Sequence, residues 1–523
     1  MKFLDCTLRD GGYYNAWDFS RGVINQYLDS MQAAGVDVVE LGFRTLKNQG
    51  FLGPCAFTTD DFIRSLSIPP GLTIGVMINA NELVSQLAQS NALEKLFPEA
   101  AAESPLSLVR IACHVHEFEE ALPAAKWLKE RGYQVGFNLM QVSDRSEAEI
   151  KVLARLANAY PLDVLYFADS MGSMTPEYVA RVVHWFRSEW KGAIGIHAHD
   201  NLGLALSNNL RALDEGVKWV DSTVTGMGRG PGNARTEALA IEIAERRSTS
   251  IKLVPLMMLL REHFKPMQAH FGWGTNPYYY LAGKYGIHPT YIQEMLSDSR
   301  YDEEDVLAVI DLRVEGGKKF SFNTLDVARH FYRGEPQGQW SPKAQFEGKE
   351  VLLLGTGPGV ARHRDALERY ICAHRPVVLA LNTQTAIDAD LIGLRVACHP
   401  VRLLADCKSH LELPQPLITP FSMLPEDVKA SVAGKDVLDF GLNVRAGIFA
   451  FGATYCTAPT SLVVAYALAV AASGGAENIR MAGFDGYNAN DPRSYEMEYL
   501  LECYKSTDGA VPMTAITPTR YAL

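Results

Sequence analysis

Eight short apolar runs, each typical of a buried β-strand, recur through residues 1–226 at intervals of roughly 30 residues. The segments between them, such as 23–35 and 147–160, repeat apolar residues at the spacing of a helix face. Strands that alternate with helices in this way pair in parallel. Eight such units close a (β/α)8 barrel, so we predict an α/β chain with an N-terminal TIM barrel; a doubly wound open sheet is the alternative. The runs are KFLDCTL, DVVELGF, TIGVMIN, LSLVRIAC, YQVGFNLM, DVLYFADS, AIGIHAHD and WVDSTVTG.

Polar side chains follow the carboxyl ends of seven of these strands. In a barrel these ends meet at one mouth, where active sites are built. Helix caps and loop anchors alone do not explain such a convergence, so the sequence predicts an active site at this mouth. The side chains are those of Arg9, Asp10, Glu40, Asn79, His114, Asn138, Asp169, His197 and His199.

The seventh strand ends in two histidines spaced i, i+2, which places both imidazoles on one face. His197 and His199, with the carboxylate of Asp10, form a set of two nitrogen donors and one oxygen donor. This set leaves positions open for substrate or water and suits Mn²⁺ or Mg²⁺, with Zn²⁺ and Fe²⁺ as alternatives. The guanidinium of Arg9 is suited to hold a carboxylate or a developing enolate.

Five motifs occur in register over residues 5–237, and the last of them is a glycine-rich loop after the eighth strand. CTLRDGG, ELGF, ADSMG, HAHDNLGLA and GMGRGPGNARTE together resemble the DRE-TIM metallolyases. That superfamily includes 4-hydroxy-2-oxoacid aldolases, 3-hydroxy-3-methylglutaryl-CoA lyase, and isopropylmalate and homocitrate synthases. The resemblance implies a divalent metal on Asp10, His197 and His199, with Arg9 on an enolate oxygen. It also implies that Asn233 lies near the metal and that Glu40 and Ser170 support the substrate.

One position departs from the aldolase pattern. The hydroxy-oxoacid aldolases carry a histidine three positions after the metal aspartate, where this chain has Tyr13. A further element, YGIHP, resembles the GIH element of Claisen-type synthases, whose histidine completes a neighbouring subunit's site, so His288 is a candidate acid or base. The candidate catalytic residues are Arg9, Tyr13, Glu40 and His288, and the candidate substrate-binding residues are Asn138, Asp169, Ser170 and Asn233.

A second α/β unit opens at residue 349 with a strand, a glycine turn and a helix. It resembles sialyltransferase-like and DUF115 (6-hydroxymethylpterin pyrophosphokinase-like) domains, although Gly359 stands where the first loop of those domains has serine. The resemblance implies a nucleotide or nucleotide-sugar ligand in a Rossmann-like domain. The candidate nucleotide-binding residues are Gly355, Gly357, Gly359, Asn382 and Asp485.

These features predict a TIM-barrel domain over 1–245, a helical extension over 246–335, a linker over 336–348 and a Rossmann-like domain over 349–523. A net charge of −11 without basic runs argues against nucleic-acid binding. The eight cysteines form no CxxC pair, no signal peptide is evident, and the longest apolar run is too short to span a bilayer. We therefore expect a cytoplasmic protein with no membrane partner, and a homodimer or higher homo-oligomer.

The predicted activity is that of a metal-dependent aldolase acting on a 2-oxo acid and an aldehyde, with a possible role in carbohydrate or surface-glycan biosynthesis. Three alternative functions remain. An acyl-CoA-dependent Claisen synthase would share the metal and Arg9, and a non-haem Fe(II) oxygenase also uses two histidines and a carboxylate. A scaffold barrel that carries a nucleotide-binding or glycosyl-transfer module is the third.

Overall fold

The structure is a computed structural model that describes residues 1–47, 50–83, 86–297, 306–307, 310, 336–487 and 491–523. The chain divides into two compact units, Met1–Arg300 and Tyr301–Leu523. Within the described ranges, no helix is both long and apolar enough to cross a membrane. The eight cysteines all lie in these ranges, and no disulfide joins them.

The first unit is built on a closed barrel of eight parallel strands. Each strand pairs with the next along the chain, and β1 closes the barrel against β8. The predicted (β/α)8 barrel is therefore confirmed, and the doubly wound alternative for this region is wrong. The strands are β1 Lys2–Asp5, β2 Val38–Phe43, β3 Thr73–Asn79, β4 Leu108–Cys113, β5 Gln134–Leu139, β6 Val164–Asp169, β7 Ala193–Ala198 and β8 Trp219–Ser222.

Helices surround the barrel and bury their apolar faces against the outward-facing strand residues. The second helix shows why they form, since the Ser20 hydroxyl accepts the N–H of Val23 at its start and Tyr27, Leu28 and Met31 are buried along it. The helices are α1 Thr7–Gly11, α2 Arg21–Ala33, α3 Pro54–Phe57, α4 Asp60–Arg64, α5 Gln86–Leu96, α6 Phe118–Ala121, α7 Pro123–Glu130, α8 Glu147–Ala157, α9 Pro176–Glu189, α10 Ala205–Asp214 and α11 Thr236–Arg247.

Inward-facing residues fill the barrel in layers, because strand side chains alternate between faces. An apolar cluster occupies the interior, and charged side chains share that interior on the inward positions of β2, β4 and β8. Those charged residues, Glu40, Arg110 and Asp221, are almost completely buried. The apolar cluster comprises Leu4, Cys6, Val38, Leu108, Val164, Tyr166 and Trp219.

A helical extension follows the barrel and packs on the loops at the carboxyl ends of its last strands. The Thr275 hydroxyl donates to the carbonyl of Asn201 at 2.8 Å, and the N–H of Gly274 donates to the carbonyl of Gly230 at 3.0 Å. These contacts bring the extension to the mouth of the barrel. Its helices are α12 Leu253–Leu259, α13 Lys265–Phe271, α14 Pro277–Tyr285 and α15 Pro289–Ser297, with a π-helical segment Leu260–Phe264 between the first two.

The second unit contains a seven-stranded parallel sheet, ordered β13-β12-β11-β10-β9-β17-β18, and a three-stranded sheet, ordered β14-β16-β15. A separate parallel-sheet α/β domain is therefore confirmed. Its strands are β9 Glu350–Leu354, β10 Val377–Leu381, β11 Leu394–Val396, β12 Leu417–Thr419, β13 Val437–Asp439, β14 Gly441–Val444, β15 Ala450–Phe451, β16 Tyr455–Ala458, β17 Asn478–Ala482 and β18 Met513–Ala515.

Helices cover this unit, and one of them, whose sequence is apolar on every side, is almost entirely buried. The helices are α16 Lys343–Phe346, α17 Gly359–Arg362, α18 Arg364–His374, α19 Pro400–Ala405, α20 Cys407–Glu412, α21 Glu426–Ser431, the buried α22 Val463–Ser473 and α23 Pro492–Lys505.

The segment predicted as a linker, 336–348, makes specific contacts within the second unit. The N–H groups of Gln339 and Trp340 both donate to the carbonyl of Asp439, and Phe346 is fully buried in the core of this unit. Most of the predicted helical extension beyond residue 297 lies outside the described residues. The predicted boundaries at 245/246, 335/336 and 348/349 therefore stay predictions, but a polypeptide that begins at residue 349 would lack a core side chain.

Replacing Phe346 with Ala tests whether this segment belongs to the C-terminal unit. We expect the free energy of unfolding of that unit to fall by about 3–5 kcal/mol, because a fully buried phenyl ring would leave a cavity. Denaturant unfolding of the full chain measures the change, with Phe51→Ala, a change at a largely exposed side chain, as control. Equal stability of the two variants would show that residues 336–348 act only as a connection.

Candidate metal centre and active site

The first βα turn places two functional side chains inside the barrel mouth. Asp5, at the end of β1, accepts the N–H and hydroxyl of Thr7 at 2.8 and 2.6 Å and the hydroxyl of Tyr27 at 2.5 Å. These bonds fix the turn into the short helix α1, which carries Arg9 and Asp10. Both side chains are buried, although they are charged.

Asp10, His197 and His199 are brought together as predicted. One ligand atom from each lies within 4.8 Å of the others. The distance from Asp10 Oδ2 to His197 Nε2 is 3.8 Å, which is too long for a hydrogen bond but shorter than two metal–ligand bonds of about 2.1 Å laid end to end. The arrangement is the one that two ligands of a single ion would adopt.

Two further groups orient the imidazoles. The Nδ1–H of His197 donates to Asp221 Oδ2 at 3.0 Å, and the Nδ1–H of His199 donates to the carbonyl of Ser170 at 3.3 Å. With the proton on Nδ1, each imidazole keeps an unprotonated Nε2 whose lone pair can bind a metal ion. This is the tautomer that a metal ligand requires. Burial lowers the pKa of His199 to about 4, so this imidazole is neutral at physiological pH.

A chain of buried ion pairs connects the metal ligands behind the site. Arg9 donates to Asp10 Oδ1 and to Glu40 Oε1, both at 2.7 Å. Arg110 donates to Glu40 Oε2 at 2.6 Å and to Asp221 Oδ2 at 2.7 Å. We call these five residues, Arg9, Asp10, Glu40, Arg110 and Asp221, the charged ring, because His197 closes the circuit from Asp221 back to Asp10.

Sequence reasoning missed Arg110 and Asp221. The signal was available, because each is a charged residue inside a strand that is otherwise apolar, and a buried charge requires a partner. Burial alone would raise the pKa of Asp221, but Arg110 and His197 hold it below its usual range. Glu40 lies beneath Arg9 and is fully buried, so it positions the guanidinium and does not itself reach the mouth.

The site fits a divalent cation by its charge and by its unpaired atoms. The charged ring contains two guanidinium groups and three carboxylates, which leaves one negative charge in excess. Burial alone would raise the pKa of Asp10, but Arg9, the two histidines and Asn233 hold it well below its usual range. Among the described residues, no hydrogen-bond partner meets the buried atoms Arg9 Nη2, Asn138 Oδ1 and Asn233 Oδ1. A cation and an anionic substrate would satisfy all of these groups.

The glycine-rich loop approaches the site as predicted. Asn233 Nδ2 donates to Asp10 Oδ2 at 2.5 Å. A Cβ at Gly228 would lie 2.9 Å from the same carboxylate oxygen and 2.4 Å from Asn233 Nδ2, so only glycine fits there. Tyr14 holds the loop, since its hydroxyl donates to the carbonyl of Gly228 and accepts the N–H of Gly230, each at 3.1 Å.

Two predicted substrate-binding residues lie at the end of the sixth strand, Asp169 as its last residue and Ser170 directly after it. The hydroxyl of Ser170 accepts the N–H of Gln141, and its carbonyl holds His199. Asp169 is fully buried and accepts the N–H groups of Ser173 and Met174, both at 3.0 Å. Burial raises the pKa of Asp169 to about 7. Asp169 is the last residue of β6, and strand alternation points it away from the barrel interior, so its carboxylate holds the turn that follows. This placement argues against its predicted contact with substrate.

The two acid–base candidates differ in how far they are exposed. Tyr13 is 41% exposed, packs edge-on against Trp17 and Phe43, and lies beneath the guanidinium of Arg229. His288 is buried, and its Nδ1 accepts the N–H of Thr290 at 3.3 Å. Burial, with Arg229, His199 and His114 nearby, holds the pKa of His288 well below its usual range.

In the second unit, the candidate nucleotide-binding residues lie at the carboxyl edge of the seven-stranded sheet, where the strand order reverses between β9 and β17. Asp485 accepts the N–H of Gly359 at 2.9 Å. A Cβ at Gly357 would lie 2.4 Å from its carboxylate, so this side chain sits in the glycine loop. Asn382 has a left-handed backbone (φ 50°), and its carbonyl accepts an N–H of Arg395.

Comparison with known proteins supports the barrel and identifies its family. The profile of the HMGL-like family matches residues 103–261. A 4-hydroxy-2-oxovalerate aldolase from Pelotomaculum thermopropionicum is 30% identical over 241 residues, which cover 46% of this chain and 68% of that protein. The chain belongs to the HMGL-like family. It is therefore an enzyme of the lyase class, and the predicted resemblance of its barrel to the DRE-TIM metallolyases is confirmed.

Other HMGL-like relatives extend the comparison. A 4-hydroxy-2-oxovalerate aldolase from Carboxydothermus hydrogenoformans is 28% identical over 354 residues, 64% of this chain and 99% of that protein. An oxaloacetate decarboxylase from Mycobacterium tuberculosis is 28% identical over 246 residues, 46% of this chain and 70% of that protein. The solved N-terminal domain of a proposed aldolase from Bacteroides vulgatus is 29% identical, with a TM-score of 0.52, and covers 57% of this chain and 98% of that domain. The family implies a divalent metal in the barrel.

Replacing Asp221 with Asn tests the link between the charged ring and the metal ligands. We expect divalent-metal affinity to fall about 10- to 100-fold, because His197 loses the carboxylate that fixes its tautomer. Titration calorimetry with Mn²⁺ measures the affinity, and Asp214→Asn, which removes a carboxylate paired with Arg246 near the surface, is the control. Unchanged Mn²⁺ affinity in Asp221→Asn would show that this carboxylate serves only the fold.

Proposed function

We propose that this protein is a divalent-metal-dependent aldolase that cleaves, and in reverse forms, the carbon–carbon bond between a 2-oxo acid of the pyruvate type and an aldehyde. The observation that carries the proposal is the buried, unpartnered Nη2 of Arg9 beside the Asp10, His197 and His199 cluster. The relatives named 4-hydroxy-2-oxovalerate aldolase support the same chemistry.

A divalent cation on Asp10, His197 and His199 would supply Lewis-acid polarisation of the 2-oxo group. Mn²⁺ or Mg²⁺ suits this mixed donor set. During cleavage of a 4-hydroxy-2-oxo acid, the electrons of the C3–C4 bond move into an enolate while the hydroxyl loses its proton and the aldehyde departs. Arg9 Nη2 donates to the enolate oxygen as its charge develops, and Glu40 holds the guanidinium in place for this task.

The remaining polar groups bind substrate and move the proton. Asn138 faces the interior from β5, and its unpartnered Oδ1 and that of Asn233 are acceptors for a bound substrate or water. Tyr13, in place of the aldolase histidine, takes the hydroxyl proton while its own phenolic proton passes to a water molecule, and His288 moves a second proton. Proximity of His288 to the mouth favours one alternative, a Claisen-type synthase, in which His288 alone would act.

The C-terminal unit would bind a nucleotide or nucleotide-sugar at the edge that carries the glycine loop, which would connect the aldolase to carbohydrate or surface-glycan biosynthesis. Its position at the reversal of strand order supports this. Since Asp485 already accepts a loop N–H, a phosphate there would have to displace this carboxylate or share it with a cation. We also propose a homo-oligomer in the cytoplasm, where eight cysteines without disulfides are expected.

Replacing Arg9 with Lys tests the enolate step. We expect Mn²⁺ binding to persist, because the ligands remain, while exchange of pyruvate methyl protons with D₂O slows by about 30- to 1,000-fold, the effect of losing an oxyanion donor. Proton NMR follows the exchange without any aldehyde, and Arg246→Lys on the outer helix α11 is the control. An unchanged exchange rate in Arg9→Lys would make Arg9 structural; no exchange in the wild-type enzyme would contradict the proposed function.

The proton-transfer roles are tested with Tyr13→Phe and His288→Ala. We expect Tyr13→Phe to reduce aldol turnover at least about 100-fold, because the phenyl ring keeps the packing and removes only the hydroxyl. Turnover of pyruvate with an aldehyde and D₂O exchange are measured side by side. Should Tyr13→Phe retain full turnover while His288→Ala loses it, Tyr13 only packs and the site is closer to the Claisen synthases, for which release of thiol from acetyl-CoA is the check.

A further inference from the structure

Arg229, in the glycine-rich loop at the barrel mouth, carries a charge that the site does not use. Its guanidinium is half-buried and lies 4.4 Å from the ring centroid of Tyr13. Among the described residues, no carboxylate lies within ion-pair distance of it, whereas the buried arginines of the same unit, Arg9, Arg44 and Arg110, each hold one. At the mouth of the barrel, such a guanidinium is available to an anionic ligand.

The backbone around Arg229 is held on both sides. Its two neighbours, Gly228 and Gly230, are both bonded to the hydroxyl of Tyr14. The Tyr14 ring in turn packs between Phe271 and Trp273 of the helical extension, at centroid distances of 5.4 and 5.6 Å. The guanidinium is thus presented from a fixed loop, and its stacking on Tyr13 restricts it further.

An apolar wall separates this cation from the enolate end of the site. Phe43 lies 6.0 Å from the guanidinium of Arg9 on one side and 6.2 Å from the ring of Tyr13 on the other. It clusters with Met77 and Ala112, both inward-facing at the carboxyl ends of their strands. The mouth therefore offers a cation at Arg9, an aliphatic and aromatic surface, and a second cation at Arg229.

We infer that Arg229 binds a negatively charged group, a carboxylate or a phosphate, at the far end of the aldehyde substrate, with a short aliphatic chain lying along Phe43 and Met77. The inference rests on the proposed aldolase function and names its substrate class. The 2-oxo acid is assigned to the other end, because Arg9 and the divalent cation that Asp10, His197 and His199 would hold can neutralise its carboxylate. A charge-assisted bond to a planar guanidinium selects such a group over a neutral one of the same length.

The test compares aldehydes that differ only in charge. Pyruvate is condensed with butanal or succinic semialdehyde, and with glyceraldehyde or glyceraldehyde 3-phosphate, by the wild-type enzyme, Arg229→Gln and Arg181→Gln. The last variant is a matched control, because Arg181 also stacks on a tyrosine, Tyr178, but on the outer helix α9. We expect wild type to prefer the anionic member of a pair at least about tenfold in kcat/KM, and Arg229→Gln to lose that preference through the KM for the aldehyde. A larger preference for succinic semialdehyde over butanal would assign the site to a carboxylate. A larger preference for glyceraldehyde 3-phosphate over glyceraldehyde would assign it to a phosphate.

Three results would overturn the inference. Equal use of charged and neutral aldehydes by the wild-type enzyme, with D₂O exchange of pyruvate intact, would remove the anionic subsite and leave the aldolase function standing. A raised KM for pyruvate in Arg229→Gln, equal for all four aldehydes, would assign Arg229 to the oxo acid. Absence of exchange in wild type would overturn both proposals together.

Discussion

The charged ring is the interaction on which the rest of the barrel depends. Five ionised side chains from four strand–loop units lie inside a fold whose surroundings are apolar, and each is bonded to at least one opposite charge. Deleting one partner would leave an unpaired buried charge, at a cost of about 3–5 kcal/mol. Arg110 is central, because it bonds carboxylates from β2 and β8 and so ties opposite sides of the barrel to one geometry.

The same ring determines the chemistry. Arg9 uses two of its nitrogen atoms to bond Asp10 and Glu40, and its third, Nη2, is buried with no hydrogen-bond partner among the described residues. Asp221 uses one oxygen to bond both Arg110 and His197, so the position of a candidate metal ligand depends on a buried arginine. Stability and ligand geometry are therefore coupled: the residues that cost most to bury are those that set the distances in the site.

The C-terminal unit shows that one spacing of glycines can have two physical causes. Gly355, Gly357 and Gly359 predict a loop that accepts a phosphate, and the structure places them at the reversal of strand order where such loops bind ligands. The carboxylate of Asp485 lies against this loop, however, and takes the N–H of Gly359. A Cβ at Gly357 or Gly359 would lie within 2.7 Å of the Asp485 carboxylate, and a Cβ at Gly355 would lie 2.6 Å from the carbonyl oxygen of Gly483. Close packing within the chain is therefore by itself enough to require glycine at these three positions.

The sequence by itself determined the barrel and indicated Asp10, His197 and His199 as candidate metal ligands. Eight strand–helix repeats are compatible with few closed folds. The i, i+2 spacing of His197 and His199 on a strand places both imidazoles on one face, independently of the tertiary contacts. What only the tertiary structure decided depends on contacts between distant parts of the chain. These are the bond of Glu40 to Arg9, the bonds of Asp169 to the backbone of the loop after β6, and the ion pairs by which Arg110 and Asp221 complete the ring. The pairing of Arg229 with Tyr13 is of the same kind, since more than 200 positions separate them in the chain. Local sequence patterns determine which face of a strand a side chain occupies. Closure of the barrel determines which other side chain it contacts there, and for a buried charged residue that contact determines its role.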